Sequence, residues 1–220
     1  VEDYLVSYPR AVGTRSGGFT ADIAVYEDYT INYYDDATAN ATPPVRGNVT
    51  MARRYKSLVP TEVSFTEKFT YDVNGNRLSH VDGVGNRTER DYDTTYKLYV
   101  VKERAPKYFA SGSLAADTRF ATTYANDNVC GQPNRKTDWN GIVETFTFDA
   151  FCRPYGYTNS GTGKYVNTRY ENMGNPASQA IVVRQPLATG SGDVFERTYY
   201  DGLGRPWRVQ TPGEMASGQT

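Results

Sequence analysis

A four-residue pattern returning at a fixed step constrains this chain more than any other feature. Aspartate or a substitute, two free positions, and glycine or a substitute recur every 11 residues: Asp127 with Cys130, Asp138 with Gly141, Asp149 with Cys152, Ser160 with Gly163, Glu171 with Gly174. Earlier copies pair Asp72 with Gly75 and Asp82 with Gly85, a degenerate copy starts at Asp93, and a last copy pairs Asp201 with Gly204. An aspartate that opens a four-residue turn accepts hydrogen bonds from the backbone that follows it. Glycine at the fourth place tolerates the left-handed angles by which the chain leaves. Each copy is therefore read as a turn.

Between the turns the side chains alternate, as in Phe65-Thr-Glu-Lys-Phe-Thr-Tyr71, Glu144-Thr-Phe-Thr-Phe148 and Tyr165-Val-Asn-Thr-Arg-Tyr170. Threonine and aromatic residues at period two favour strands of about six or seven residues. Turns at this spacing predict an all-β chain, a long antiparallel up-and-down meander of about 14–18 strands with alternate turns on opposite edges. Open twisted sheets rarely pass ~10 strands without curling. Sixteen strands at ~4.8 Å would cover an arc of roughly 75 Å, too wide to fill with side chains, so the expected object is a hollow shell or spiral barrel segment.

Composition agrees with a thin sheet rather than a thick aliphatic core. Only 38% of the 220 residues are apolar, 19 are Tyr, and 20 Gly and 11 Pro punctuate the chain. Tyrosine suits half-buried surfaces because its ring is apolar and its hydroxyl is not. The net charge of -1 leaves no cation excess for a nucleic-acid backbone, and no apolar run reaches the ~20 residues of a membrane span. The absence of an initial Met and the Gly/Ser-rich end suggest a segment of something longer. We expect a strand-rich N-terminal segment at 1–45, a repeat sheet at 46–213 and a flexible tail at 214–220, with the linker-like residues 38–46 at the first boundary. Residues 105–123 and 183–197 break the period and are expected to protrude as loops or embellished hairpins.

The unit Phe69-Thr-Tyr-Asp-Val-Asn-Gly-Asn-Arg-Leu78 resembles the tyrosine-aspartate repeat of the RHS/YD-repeat family. So do Arg90-Asp-Tyr-Asp93, Phe146-Thr-Phe-Asp-Ala-Phe-Cys-Arg-Pro154 and Thr198-Tyr-Tyr-Asp-Gly-Leu-Gly-Arg-Pro206, and the resemblance covers about residues 46–213. It implies part of the β-strand shell of bacterial Rhs polymorphic toxins and of the B and C components of insecticidal toxin complexes, which encloses a toxic polypeptide; teneurins use a similar barrel at the cell surface. The implied partners are the remainder of the same shell and an enclosed toxin, and the implied location is secreted or cell surface. The alternative is an adhesin or teneurin-like module that binds a glycan or receptor through its protruding loops. The family's self-cleaving end segment is not found, so no protease role is carried over.

No catalytic, cofactor-binding or metal-binding residue is assigned. His80 is the only histidine and is expected as a surface or stacked residue at a strand end. Gly163-Lys164 is followed by Tyr165, which lacks the magnesium-holding hydroxyl of a phosphate loop. Asp72-Val-Asn-Gly-Asn76 superficially matches a calcium loop, but its twelfth position is Gly83 instead of Glu. Asn40, Asn48 and Asn86 stand in NxS/T sequons and are read as incidental. The structural set comprises Tyr71, Asp72, Gly75, Asp82, Gly85, Tyr92, Asp93, Asp138, Gly141, Phe148, Asp149, Tyr170, Gly174, Tyr200, Asp201 and Gly204, with the aromatics expected to stack as a ladder along the sheet. Cys130 and Cys152 lie two strands apart on one edge, roughly 9–10 Å by strand spacing. That exceeds the ~7 Å a disulfide can bridge, so free thiols are expected, and a bridge would imply a different register.

Overall fold

The structure is a computed structural model and describes residues 8–14, 28–57, 63–187 and 192–212. Within them the chain is all-β, an up-and-down antiparallel meander in which strands neighbour one another in sequence order. Fifteen strands are present among the described residues. Regular helix is confined, among the described residues, to one 3-10 turn at Pro106–Tyr108. None of them forms a helix long and apolar enough to cross a membrane.

The chain divides into two compact units, Val1–Ala121 and Thr122–Thr220. In the first, β1 (Ala11–Thr14), β2 (Asp28–Tyr34), β3 (Val49–Ser57), β4 (Val63–Tyr71), β5 (Arg77–Val81), β6 (Arg87–Tyr92) and β7 (Val100–Arg104) pair each with the next. In the second, the same pattern joins β8 (Ala121–Asp127), β9 (Gln132–Thr137), β10 (Val143–Phe148), β11 (Pro154–Asn159), β12 (Tyr165–Glu171), β13 (Ala180–Pro186), β14 (Asp193–Tyr200) and β15 (Pro206–Gln210).

Burial is sparse, as the composition requires. The buried apolar residues are Tyr34 and Tyr55 in the first unit and Ala180 and Val182 in the second, while Thr122 is the buried polar one, all among the described residues. Most strand residues are half-buried, so each sheet is held chiefly by its ladder and by side-chain pairs across neighbouring strands. Ring pairs join Phe69 to His80, Tyr29 to Tyr55, Phe146 to Tyr157 and Tyr199 to Trp207. Large apolar residues instead crowd the turn tips: Val73, Val84, Val129, Phe151 and Leu203 are all exposed, Val129 at 91%.

Two stretches differ from their sequence reading. Residues 183–197, expected as a protruding loop or embellished hairpin, belong to a hairpin that is part of the ladder itself: Val183 pairs with Glu196, Arg184 with Phe195 and Pro186 with Asp193. The departure from the 11-residue step begins with the long β12–β13 connection, residues 172–179, for which the fixed count makes no allowance. Residues 38–46, expected as a linker, form the connection of the β2–β3 hairpin. Residues 105–120 do leave the ladder. Ala105 N–H meets Phe120 O at 2.9 Å, Asp117 N–H meets Lys107 O at 3.1 Å, and Ser111 bridges Leu114 inside the excursion.

Candidate functional site

The repeat turns are the most densely organised polar features of the chain, and five share one geometry. Asp72 Oδ1 accepts the backbone N–H of Asn74 (2.8 Å) and of Asn76 (2.9 Å), and the turn closes with Gly75 N–H on Asp72 O (3.2 Å). Asp82, Asp138, Asp149 and Asp201 repeat the arrangement on Val84 and Asn86, Asn140 and Ile142, Phe151 and Arg153, Leu203 and Arg205. The fourth residue is left-handed in each: Gly75, Gly85, Gly141 and Gly204 have φ between 76 and 92. At Gly141 an added Cβ would meet nothing within 4 Å. Gly141→Val should therefore cost about 1–2 kcal/mol through backbone strain alone. An unchanged melting temperature would contradict that origin.

The fifth residue of the turn does work that the four-residue motif did not reveal. Asn76 and Asn86 donate their side-chain amides to the second carboxylate oxygen at 2.9 and 2.8 Å. Arg153 and Arg205 do the same through Nε at 2.7 and 2.8 Å. The signal was present in the sequence as Asn or Arg four residues after Asp, with Ile142 the exception. Arg153 also lies over the Tyr170 ring at 3.8 Å, joining its turn to a neighbouring strand.

Other copies adapt the device to different loop lengths. Asp93 spans a longer turn, accepting Thr95 and Tyr96 N–H on one oxygen and Leu98 and Tyr99 N–H on the other. Asp35, which the sequence reading passed over, accepts Val45, Arg46 and Gly47 N–H on Oδ2 and Asn48 N–H on Oδ1, at 2.7 to 3.0 Å. The turn assigned to Ser160 is headed by Asn159, whose Oδ1 accepts Gly161 and Thr162 N–H. Glu171 heads no turn; it ends β12 and pairs with Arg197 at 3.1 Å, and left-handed Asn172 and Gly174 begin a longer connection.

An aromatic stands before the aspartate at Asp35, Asp72, Asp93, Asp149 and Asp201, and at each of these it marks a β-bulge. The ladder register shifts at Tyr33/Tyr34, Thr70/Tyr71, Asp91/Tyr92, Thr147/Phe148 and Tyr199/Tyr200. A bulge redirects the side chain next to it. The hydroxyls of Tyr34, Tyr71 and Tyr92 accordingly donate to the carbonyls of Pro9, Val49 and Arg77, at or just before the start of the preceding strand, and Tyr170 donates likewise to Pro154 O without a register shift beside it. These tyrosines latch strand ends through their hydroxyls, where a ring-on-ring ladder was expected.

The cysteine expectation is overturned. Cys130 and Cys152 form a disulfide with a Cα separation of 5.1 Å, and the order of strands in the meander is kept on both sides of it. The 9–10 Å expectation applied strand spacing to residues outside the ladder. Both cysteines lie beyond the last paired rungs, Asp127 with Gln132 and Phe148 with Pro154, where turns can lean across β9 and β10. Cys130 also precedes the left-handed residue of its turn, since Gly131 closes onto Asp127 O.

Electrostatics follow the same hydrogen bonds. The Asn76 amide leads in lowering the Asp72 carboxyl, the Asn86 amide leads for Asp82 and the Arg153 side chain leads for Asp149. Desolvation would raise Asp93, but N–H groups of Tyr99, Leu98 and Tyr96 outweigh it and hold the carboxyl at about 2. Because these folded values lie below the unfolded ~3.9, their stabilisation is complete above about pH 4 and is lost as pH falls toward 2. Thermal melts should hold level from neutrality to about pH 5 and drop below about pH 4; a flat profile to pH 2 would contradict the clamps.

His80 stacks on Phe69 at 4.8 Å, and its Nε2 lies 3.7 Å from Glu67. The calcium-like stretch after Asp72 directs both carboxylate oxygens onto N–H donors of its own turn. Among the described residues no three His, Cys, Asp or Glu side chains converge as metal ligands. The 105–120 excursion borders a groove of about 600 Å³ lined by Pro106, Phe109, Leu114 and Phe120 with Lys107 and Arg119.

No protein-family model and no curated protein matches this chain. Solved structures do. The crystal structure of TcdB2-TccC3 without hypervariable C-terminal region aligns with a TM-score of 0.56 at 15% identity, over 82% of this chain and 9% of that chain. The crystal structure of TcdB2-TccC3-Cdc42 aligns with a TM-score of 0.55 at 14% identity, with the same shares covered. The chain has the fold of a TcdB2-TccC3 segment. That likeness agrees with the resemblance to the RHS/YD-repeat family drawn from the turn motifs, and the chain spans about a tenth of the structures it matches.

Proposed function

We propose that this chain is a non-enzymatic wall segment of an RHS/YD-repeat shell whose work is to enclose a toxic polypeptide, in a secreted or cell-surface protein. The observation that carries the reading is the joint occurrence of Asp-clamped YD turns and the fold of a TcdB2-TccC3 segment. Sparse burial supports it, since a wall completes its burial against neighbouring wall and contents. The exposed apolar turn tips offer such contacts. The turn carboxylates are occupied as acceptors for their own backbone, which favours a structural use of these aspartates over acid-base chemistry. A disulfide fits an oxidising location.

The test is protease protection in the complete protein that contains this chain. An enclosed polypeptide should resist digestion until the shell is opened, and then be cut quickly. Digestion of every downstream segment at the rate of an unfolded control would defeat containment.

The groove under residues 105–120 favours a second reading, a glycan- or receptor-binding module, because aromatic and cationic side chains line one concave surface there. Glycan-array binding abolished by deleting residues 106–119 would support it; no binding by the intact protein would count against it.

A further inference from the structure

The disulfide occupies an unusual place: it ties two turn tips on one edge, outside any core. Cys130 and Cys152 are each half-buried, and Phe151 beside the bridge is 80% exposed. Thiols in solution can therefore reach the sulfur atoms. Cys152 has φ of 59 at the turn position where Gly75, Gly85, Gly141 and Gly204 are left-handed. A residue with a Cβ is disfavoured there, and the covalent tie offsets that preference. The turn opposite holds Cys130 N–H on Asp127 Oδ1 at 3.0 Å, a part-buried bond within a single turn.

We propose that the Cys130–Cys152 bridge is a redox clasp: a thiol reductant of the glutathione class opens it, and the turns at 127–131 and 149–152 become mobile while the ladder stays formed. A reductant thiolate attacks one Sγ, forming a mixed disulfide and releasing the other cysteine as a thiolate that takes up a proton. A second reductant thiolate then attacks the reductant sulfur of that mixed disulfide, joining the two reductants in a disulfide and releasing the remaining cysteine as a thiolate that takes up a proton. Two electrons and two protons pass to the protein, giving two cysteine thiols and one oxidised reductant. Cys152 is thereby freed to leave the left-handed region, a relaxation unavailable to turns built on glycine. The clasp would distinguish oxidising from reducing surroundings, and this inference stands independently of the containment reading.

Site-resolved proteolysis of the full chain by a chymotrypsin-type protease tests it, with and without millimolar glutathione and with thiol labelling to report the redox state. Leu203 is the internal reference, since it holds the third position of the Asp201 turn, as Phe151 does in the Asp149 turn, and is similarly exposed. Reduction should speed cleavage after Phe151 on the order of tenfold, with cleavage after Leu203 unchanged. The double variant C130S/C152G should lose all dependence on glutathione and be cut slowly at Phe151, because glycine accepts the left-handed angle; should it fail to fold, the wild-type comparison still decides. Any of four results overturns the proposal: thiols already labelled without reductant, a bridge that glutathione leaves intact, both thiols labelled with no change at Phe151, or equal acceleration at both sites.

Discussion

Replacing Asp35 with alanine is expected to lower the stability of residues 1–121 by about 2 kcal/mol and melting by about 8 °C. One carboxylate accepts four backbone N–H groups, from Val45, Arg46, Gly47 and Asn48, and so closes a loop that begins next to it and ends 13 residues later. Hydrogen bonds to a charged acceptor are stronger than neutral ones, but partial exposure lets water take over some of the lost bonding, and the magnitude is discounted for that. Asn48 also opens the strand that follows, with Asp35 N–H on Asn48 O at 2.8 Å. Loss of the carboxylate thus reaches the β2–β3 ladder. Gly47 leaves little room for rearrangement, since its φ is 82 and the Tyr8 ring covers it closely. Asp35→Asn should retain part of the stability because its one carbonyl oxygen can hold some of the N–H groups. Chemical denaturation followed by far-UV circular dichroism would measure both variants. An Asp35→Ala variant as stable as the parent would show that the loop closes without its clamp.

Val182→Ala should destabilise residues 122–220 by a comparable amount, about 2 kcal/mol. Val182 is 1% exposed and is the largest fully buried side chain among the described residues. It sits in β13, with Arg169 opposite on β12 and Arg197 opposite on β14, whose long stems pass beside it. Removing two methyl groups leaves a void beside Arg197, whose guanidinium is held by Glu171, so the gap cannot close easily. The same truncation at a turn tip, Leu203→Ala, should change stability by less than about 0.5 kcal/mol, because that side chain is already in solvent. Equal effects at the two positions would show that burial is not what holds the second unit together.

Much of the architecture was legible because it is written in local chemistry. Asp72, Asp82, Asp138, Asp149 and Asp201 each satisfy donors within the next four residues, so spacing alone located the turns and the strands between them. The same locality explains an error of one residue: Asn159 accepts as well as aspartate does, and the 11-residue count had chosen Ser160. It also explains an oversight, for Asp35 acts across a loop too long for a four-residue template. The β13–β14 hairpin looked like an interruption because period reports the distance between turns and is silent about how much of it is paired.

What the sequence by itself determined is the zigzag: where the backbone reverses, how many strands result, and which neighbour each one pairs with. Tertiary structure alone decided how the turns meet. The tyrosine hydroxyls reach carbonyls 15 to 25 positions away because antiparallel pairing brings the start of the preceding strand beside them, and Cys130 meets Cys152 because turn tips, free of the ladder's fixed spacing, tilt toward each other across two strands. Hydrogen-bond partners within a turn follow from a few dihedral angles; the approach of two turns depends on twist and lean summed over every residue between them.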